Sequence, residues 1–522
     1  MGRGWIAAVF AACAAFAFFA WVQLGRPVAI PDAPTAHAAC VSYAPFQGSE
    51  TPFNESFVVP KERVLSDLQA LATFTDCVRT YATTNGLDQV PEAAQKVGLK
   101  VLQGIWIGRK DSDNVKEMAR GVALAHQFPD TITGVIVGNE ALLRREITAD
   151  RLAVLIQQVK GQIAQPVTYA DVWEFWEQNP SLAQAVDFIT IHLLPYWEDQ
   201  PTPVDDAIAH VVATHQHMEQ VFPGKKLLIG EIGWPSAGRQ RQGAEATLVN
   251  ETRFIRGVIA AAAEHQWDYN LIESFDQPWK RALEGTAGGY WGLFTDDREP
   301  KVTLQGPLAE EAGWMRWAGL AAALGIGLGG LAASSGRRAD LVGWGVSLLG
   351  GLASGGALSF LARHIEQSSR QPWEWVLNGA IWCLMALTSV IILRALCQQT
   401  IHREDAALLG WLRRLALIVA SVGVIGHVFG GRYRDFPSSM IVIAAVGFLL
   451  LRLRTDHDGV SRKPEDSWLA GAIVLGAPVV AISEGWLNGD ALTWCALVLS
   501  LGLAALPWPW QGGGYGGSSF SR

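Results

Sequence analysis

Lys226-Leu-Leu-Ile-Gly-Glu-Ile-Gly-Trp-Pro-Ser236 is the stretch that decides the fold. Its apolar run reads as a fully buried strand, closed by the turn residues Gly233, Pro235 and Ser236 with Trp234 among them. Glu231 sits at the strand exit, where a carboxylate is costly unless it is paired or in use. Ile132-Thr-Gly-Val-Ile-Val-Gly-Asn-Glu140 repeats the design, with Asn139 just before the glutamate. Two glutamates at two strand ends are the centre of the reading.

Six more short apolar runs surround these two. Strands are expected at about 41–46, 77–82, 98–106, 133–139, 166–171, 186–192, 226–232 and 269–276. Helical spacing is expected between them at about 60–74, 90–96, 113–127, 148–163, 203–222 and 245–266. Asp113 or Asn114 is the expected cap of the third of these helices and Thr148 of the fourth. Strict alternation over such a length predicts an α/β fold, a (β/α)8 TIM barrel. A doubly wound open sheet is the weaker reading, because no Gly-rich phosphate turn follows the first strand. In a barrel, catalytic groups project from the C-terminal strand ends, so Glu140 on the fourth strand and Glu231 on the seventh share one cleft.

A carboxylate pair across a cleft fits glycoside hydrolysis or transfer: one group protonates the leaving oxygen, the other attacks or activates water. Aromatic residues that suit stacking on sugars cluster after strand ends: Trp106, Trp173, Trp176, Tyr196, Trp197, Trp234, Trp279 and Trp291, with Tyr43 on the first strand. Trp173 and Trp176 read equally well as helix packing, His192 as a satisfied core histidine, and Arg79 as an ion-pair partner. Glu174, Glu177 and Glu198 read as solvated. Cys40 and Cys77, each just ahead of a valine in adjacent strands, lie close enough to bridge.

With Val-Gly-Asn-Glu140, Ile-His-Leu-Leu-Pro-Tyr196 and Gly-Glu231-Ile-Gly-Trp-Pro-Ser236 in this order, the stretch from about 40 to 305 resembles glycoside hydrolase family 17, the β-1,3-glucanases and glucanosyltransferases. The resemblance implies a retaining mechanism, with Glu140 as acid/base and Glu231 as nucleophile. It implies that Asn139 holds the sugar 2-hydroxyl, that Tyr196 lies near the nucleophile and helps keep it ionised, and that Arg79 and Tyr81 support the carboxylates. It departs from the plant pattern in Phe275-Asp-Gln277-Pro-Trp-Lys280, where Lys280 is kept but a glutamine replaces the glutamate; Glu273 is the residue placed to compensate. This chemistry needs no metal and no organic cofactor.

The remainder of the chain has a different texture. Residues 6–24 form a nearly unbroken apolar run after Arg3, long enough to span a bilayer. It reads as an uncleaved signal anchor, since Ala36-His-Ala38 lies too far downstream for a signal-peptide cleavage site. Seven more apolar segments are expected at about 314–333, 341–361, 375–396, 407–428, 437–453, 468–485 and 491–508. The expected organisation is an anchor over 1–25, a linker over 26–39, the barrel over 40–310, a seven-helix transmembrane domain over 311–510 and a disordered tail over 511–522. An even count of spans returns the C-terminus inside. Arg337, Arg338, Arg394, Arg403, Arg452, Arg454, Arg462 and Lys463 then fall inside, against Arg363, Arg370, Arg432 and Arg434 outside. Trp373, Trp375, Trp468, Trp508 and Trp510 suit interface anchors. The intramembrane polar groups His427, Glu484, Arg413 and Arg414 are few for a transporter.

The net charge of −8 without a basic stripe argues against a nucleic-acid partner, and the six scattered cysteines against a structural zinc. The combined reading is a multi-pass protein of a bacterial inner membrane, its barrel in the periplasm. It acts on β-glucan polysaccharide or oligosaccharide and has the lipid bilayer as a partner, with a membrane glucan synthase as a further candidate. Alternatives are an endo-β-1,3-glucanase limited to hydrolysis and a non-catalytic glucan-binding partner of a synthase.

Overall fold

The computed structural model describes residues 2–334, 340–397, 403–454, 460 and 463–507. Arg337, Arg338, Arg462, Trp508, Trp510 and the expected tail lie outside them. The chain divides into two compact units.

The first unit comprises Leu24–Ala312 together with Gln367–Glu374. It is a closed parallel barrel of eight strands: β1 (Val41–Ser42), β2 (Cys77–Arg79), β3 (Lys100–Ile105), β4 (Ile132–Asn139), β5 (Val167–Val172), β6 (Ile189–Leu193), β7 (Leu227–Ile232) and β8 (Asp268–Leu271). Neighbours in sequence are neighbours in the barrel, and β1 closes on β8 through Val41 and Leu271. Each strand is followed by a helix or helical turn. The main ones are α2 (Lys61–Leu71), α3 (Val90–Val97), α4 (Asp111–Gln127), α5 (Ala149–Lys160), α6 (Trp173–Gln178), α7 (Val204–Val221), α8 (Leu248–His265) and α9 (Arg281–Gly288), with α1 (Arg3–Leu24) preceding the barrel in sequence. The helices bury the apolar stripes that sequence spacing predicts, such as Val64, Leu68 and Leu71 on α2.

Several local expectations change. Thr148 caps α5 by accepting from Arg151 N, but α4 begins at Asp111 without a side-chain cap. Asn114 instead brackets Gly108, accepting from its N–H at 2.8 Å and donating to its carbonyl at 2.9 Å. The eighth strand stops at Leu271 rather than running to 276. The chain there leaves the barrel ladder and pairs with a later segment, Glu273 N donating to Trp291 O and Leu293 N to Glu273 O, both at 2.8 Å. Residues 26–39 are no free linker. Val28 and Leu308 exchange two backbone hydrogen bonds, and buried Arg256 donates to Ile30 O at 3.0 Å and Gly306 O at 2.8 Å. Cys40 and Cys77 are joined in a disulfide.

The second unit comprises Met1–Gln23, Gly313–Glu366 and Trp375–Arg522. Besides α1 it holds α10 (Trp314–Ser334), α11 (Leu341–Ser368), α12 (Pro372–Cys397), α13 (Arg403–Gly430), α14 (Ser438–Arg454), α15 (Pro464–Glu484) and α16 (Gly489–Ala505). Among the described residues, six helices, α1, α10 to α13 and α15, are long and apolar enough to cross a membrane by length and composition. The other two, α14 and α16, have 17 residues each. Glycines set the closest packing: a Cβ on Gly355 of α11 would lie 2.2 Å from Ala321 O of α10. Trp21 of α1 stacks on Phe360 of α11 at 4.0 Å and donates to Ser359 Oγ at 3.0 Å. Arg413 and Arg414 of α13 share one buried carboxylate, Asp466 of α15, at 3.0 and 2.8 Å.

Candidate active site

The barrel mouth is organised by Arg79. It is the last residue of β2, it is 1% exposed, and its guanidinium reaches across the C-terminal strand ends. Nη1 donates to Gly230 O at 2.6 Å and to Glu231 Oε1 at 3.3 Å, both on β7. Nη2 donates to Asn139 Oδ1 on β4. Tyr81 lies under the guanidinium, 4.7 Å from ring centre to Cζ, and its hydroxyl bonds Ser42 Oγ of β1 at 2.9 Å. A planar fork with donors on two edges suits this double duty better than a point charge.

Glu140 follows β4 with its backbone in the left-handed region, φ +51°, just after Gly138 at φ +86°. Such a conformation costs a non-glycine residue free energy and persists only where the surroundings fix it. Here Glu140 N donates to Ala170 O on β5 at 2.8 Å, and Arg144 donates to the Asn139 carbonyl. Arg144 also pairs with Glu146 at 2.9 Å and lies 4.2 Å over the Trp106 ring. The strand end thus turns the Glu140 side chain toward the Glu231 side of the mouth.

His192 on β6 stands between the glutamates and is fully buried. Its Nδ1 is 2.9 Å from Glu140 Oε1, and its Nε2 is 3.7 Å from Glu231 Oε1. Glu140, His192 and Glu231 each place one polar atom within 4.8 Å of the other two. That set would offer a cation three ligands, but the Arg79 guanidinium already supplies positive charge beside Glu231. Burial pushes the Glu140 carboxyl up, and the His192 hydrogen bond with the charges of His192, Arg144 and Arg79 outweighs it, so the net direction is down.

More carboxyls surround the pair. Asp171 on β5 is pushed up to about 6 by burial and accepts from the Tyr169 hydroxyl. Glu273, after β8, is pushed to about 7 by burial although Lys280 donates to it at 2.6 Å. Glu284 on α9 is raised by burial, and the charges of Glu140 and Glu231 reinforce the shift. The mouth is therefore rich in groups that hold or exchange protons.

The residues expected at the site separate into two sets. Glu140, Glu231, Asn139 and Arg79 meet directly, Tyr81 supports Arg79, and Lys280 joins through Glu273. Trp279 sits half-exposed on the rim, its indole donating to Gln277 Oε1 at 2.8 Å and its ring edge-on to Phe46 and Phe53. Tyr196, Trp234 and Tyr43 are held elsewhere. The single phenolic hydrogen of Tyr196 goes to Arg239 O at 2.6 Å, so the donor on Glu231 is Arg79 and not the expected tyrosine. Trp234 is fully buried and donates to Glu245 O at 2.8 Å, which leaves no face for a sugar. Tyr43 is buried and donates to Asp67 Oδ2 at 3.0 Å, a carboxylate that also pairs with Arg298.

Trp176 is core packing, its indole donating to Thr190 O. Glu198 and Glu177 are not simply solvated: they pair with His210 and His217. His192, Arg144 and Glu284 join the mouth without having been singled out for it. For His192 a signal existed in its place on the sixth strand, level with the glutamate ends.

Known proteins place these features in context. The chain is 28% identical over 256 residues to a glucan 1,3-beta-glucosidase of Schizosaccharomyces pombe, covering 46% of this chain and 79% of that protein. It is 28% identical over 273 residues to a glucan 1,3-beta-glucosidase of Saccharomyces cerevisiae, covering 46% of this chain and 83% of that protein. A crystal structure of a glycoside hydrolase family 17 beta-1,3-glucanosyltransferase from Rhizomucor miehei is similar at 26% identity and a TM-score of 0.45, covering 51% of this chain and 97% of that one. Residues 40–292, which contain every strand of the barrel and both glutamates, match the BtgE/BtgC glycoside hydrolase domain.

Proposed function

We propose that the barrel is a retaining β-1,3-glucan-active glycosidase and transglycosylase. The observation that carries this reading is the Glu140–Glu231 pair at the barrel mouth, with polar atoms within 4.8 Å of each other. Retaining enzymes hold their carboxyl groups about 5–5.5 Å apart, whereas inverting ones need room for a water between them. In this reading Glu231, oriented by Arg79, attacks the anomeric carbon. The bond from that carbon to the leaving oxygen breaks, and that oxygen takes the proton of Glu140. Glu140, now a carboxylate, accepts the proton of an incoming hydroxyl, which displaces Glu231 from the glycosyl ester. Water gives hydrolysis and a sugar hydroxyl gives transfer. In the same reading Asn139, whose Oδ1 accepts from Arg79, holds the sugar 2-hydroxyl. His192 bonds Glu140 and accompanies its change of charge.

The similarity to fungal glucan 1,3-beta-glucosidases favours β-1,3-glucan as substrate. Six apolar helices favour a membrane-bound protein, and we infer that it remodels glucan on the periplasmic face of a bacterial inner membrane. The deciding experiment is incubation of the protein with laminari-oligosaccharides and analysis of the products. Longer or branched products mean transfer, and shorter ones alone mean hydrolysis. No conversion, or full conversion by Glu231→Ala, would end the proposal.

A further inference from the structure

The barrel unit contains a short stretch from far along the chain, Gln367–Glu374, which comprises the last residues of α11, the link after it and the first residues of α12. It is not a loose connection. Arg370 donates through Nη1 to Trp279 O at 2.9 Å and Pro278 O at 3.5 Å, two successive carbonyls of the turn Pro278–Lys280. In return, Arg281 donates to Gln367 O at 2.7 Å and Ser369 O at 3.4 Å, and the Tyr290 hydroxyl donates to Gln367 O at 2.9 Å. The stretch is braced internally by Glu374, whose Oε2 accepts from the N–H groups of Arg370 and Gln371, each at 2.7 Å.

The turn so held carries chemistry. Trp279 shows part of its ring on the rim. Lys280 is the partner of buried Glu273, and Glu284, four residues on, lies in the field of both site glutamates. The backbone N–H of Arg281 already donates to Pro278 O and Trp279 O, and the Arg370 guanidinium adds a charged donor to the free lone pairs of the same two carbonyls. The contact fixes the turn's backbone, and the backbone fixes where Trp279 and Lys280 point.

We infer that Gln367–Glu374 is part of the glucan-binding rim, with Arg370 as a positioning residue for Trp279 and Lys280. The inference rests on the glucan reading above and extends it: a segment lying beyond the matched domain sets affinity for long chains. Glucan long enough to reach Trp279 is bound through it, and a donor confined to the scissile bond is not.

The test uses the full chain in detergent as wild type, Arg370→Ala, Arg370→Lys and Trp279→Ala. Each is assayed on a ladder of laminari-oligosaccharides and on a short aryl β-glucoside. Arg370→Ala is expected to raise KM for the longest oligosaccharide about tenfold while kcat falls less than threefold, the size of one lost charge-assisted hydrogen bond. Trp279→Ala should match it, the short donor should respond much less, and Arg370→Lys should recover most of the loss through one remaining bond to Trp279 O. An unchanged KM in Arg370→Ala, with wild type active, overturns this inference alone. An equal loss on short and long donors overturns it too, since that marks a general defect of the fold. A wild type inactive on every β-1,3-linked substrate overturns the glucan reading, and this inference with it.

Discussion

Nδ1 of His192 lies 2.9 Å from Oε1 of Glu140, inside a pocket where the histidine ring is fully buried. This one contact couples the protonation of Glu140, the proposed acid, to a neighbour on a different strand. Burial alone would push Glu140 up, and the His192 bond and charge bring it below the usual carboxylate range. An acid must carry its proton when the glycosidic bond breaks, so the limb on which activity falls with rising pH reports Glu140. Replacing His192 with phenylalanine removes the lowering influence and leaves the burial. The expected result is a shift of that limb to higher pH, with kcat down by about 10²-fold. A limb that stays in place, or moves down, would separate His192 from the acid.

The two glutamates are distinguished by what each variant still does. Glu231→Ala should lose on the order of 10⁴-fold or more in kcat, as expected for removal of a covalent nucleophile. With an activated β-glucosyl donor, added azide should then enter from the vacant face and give the α-glycosyl azide. Glu140→Ala should still form the glycosyl-enzyme from that donor and give the β-glycosyl azide. Nuclear magnetic resonance of the azide products reads the difference, and the opposite stereochemistry would exchange the two roles.

Much of this arrangement was legible in the chain, and the limits of legibility have a physical origin. Alternating short strands and amphipathic helices identify the barrel because the strands are buried on both faces and two of them, β4 and β7, are almost wholly apolar. The barrel in turn brings Glu140 and Glu231 together, since strand ends converge on one mouth. Periodicity says nothing about side chains beyond the last ladder residue. Trp234, three residues past Glu231, turns into the wall, and Tyr196 spends its hydrogen on Arg239 O. The Arg370 contact joins positions 91 apart, and no local pattern encodes it.

Glu273 predicts how stability varies with pH. Its carboxyl is pushed from an ordinary 4.5 to about 7, chiefly by burial and against the pull of Lys280. Between these values the folded state holds a proton that the unfolded chain has released. This contribution is complete below about pH 4.5 and is lost as pH rises through 7, amounting to roughly 3 kcal/mol. Asp171, raised to about 6, acts in the same direction. The thermal midpoint of the barrel should therefore fall between pH 5 and 8, and Glu273→Gln should flatten that slope. An equally steep slope in the variant would assign it to other groups.

The Cys40–Cys77 disulfide closes a loop of sequence separation 37 that contains α2 and joins β1 to β2. Constraining the unfolded chain over such a loop stabilises by about 3–4 kcal/mol. Replacing both cysteines by serine should lower the barrel's thermal midpoint by about 6–16 °C for a domain of this size. The double variant should keep its turnover at low temperature, because neither sulfur reaches the Glu140–Glu231 pair. A midpoint unchanged within 1–2 °C would mean that the unfolded chain is already compact there.

Asp466 is the counter-charge for two arginines, and with 1% of its side chain exposed it has little recourse to water. Removing one partner of a buried ion pair costs about 3–5 kcal/mol, because the remaining charge is left without compensation. Asp466→Asn should thus lower the temperature at which the detergent-solubilised helical unit unfolds. Replacing Asp466, Arg413 and Arg414 together by leucine and methionines should recover much of the loss, since an apolar cluster of similar volume leaves no charge to compensate. Turnover of soluble laminari-oligosaccharides should stay within about twofold in both variants, because the triad contributes no group to the barrel mouth. If Asp466→Asn melts like wild type while its turnover collapses, the triad is functional rather than structural, and the helical unit takes part in the chemistry directly.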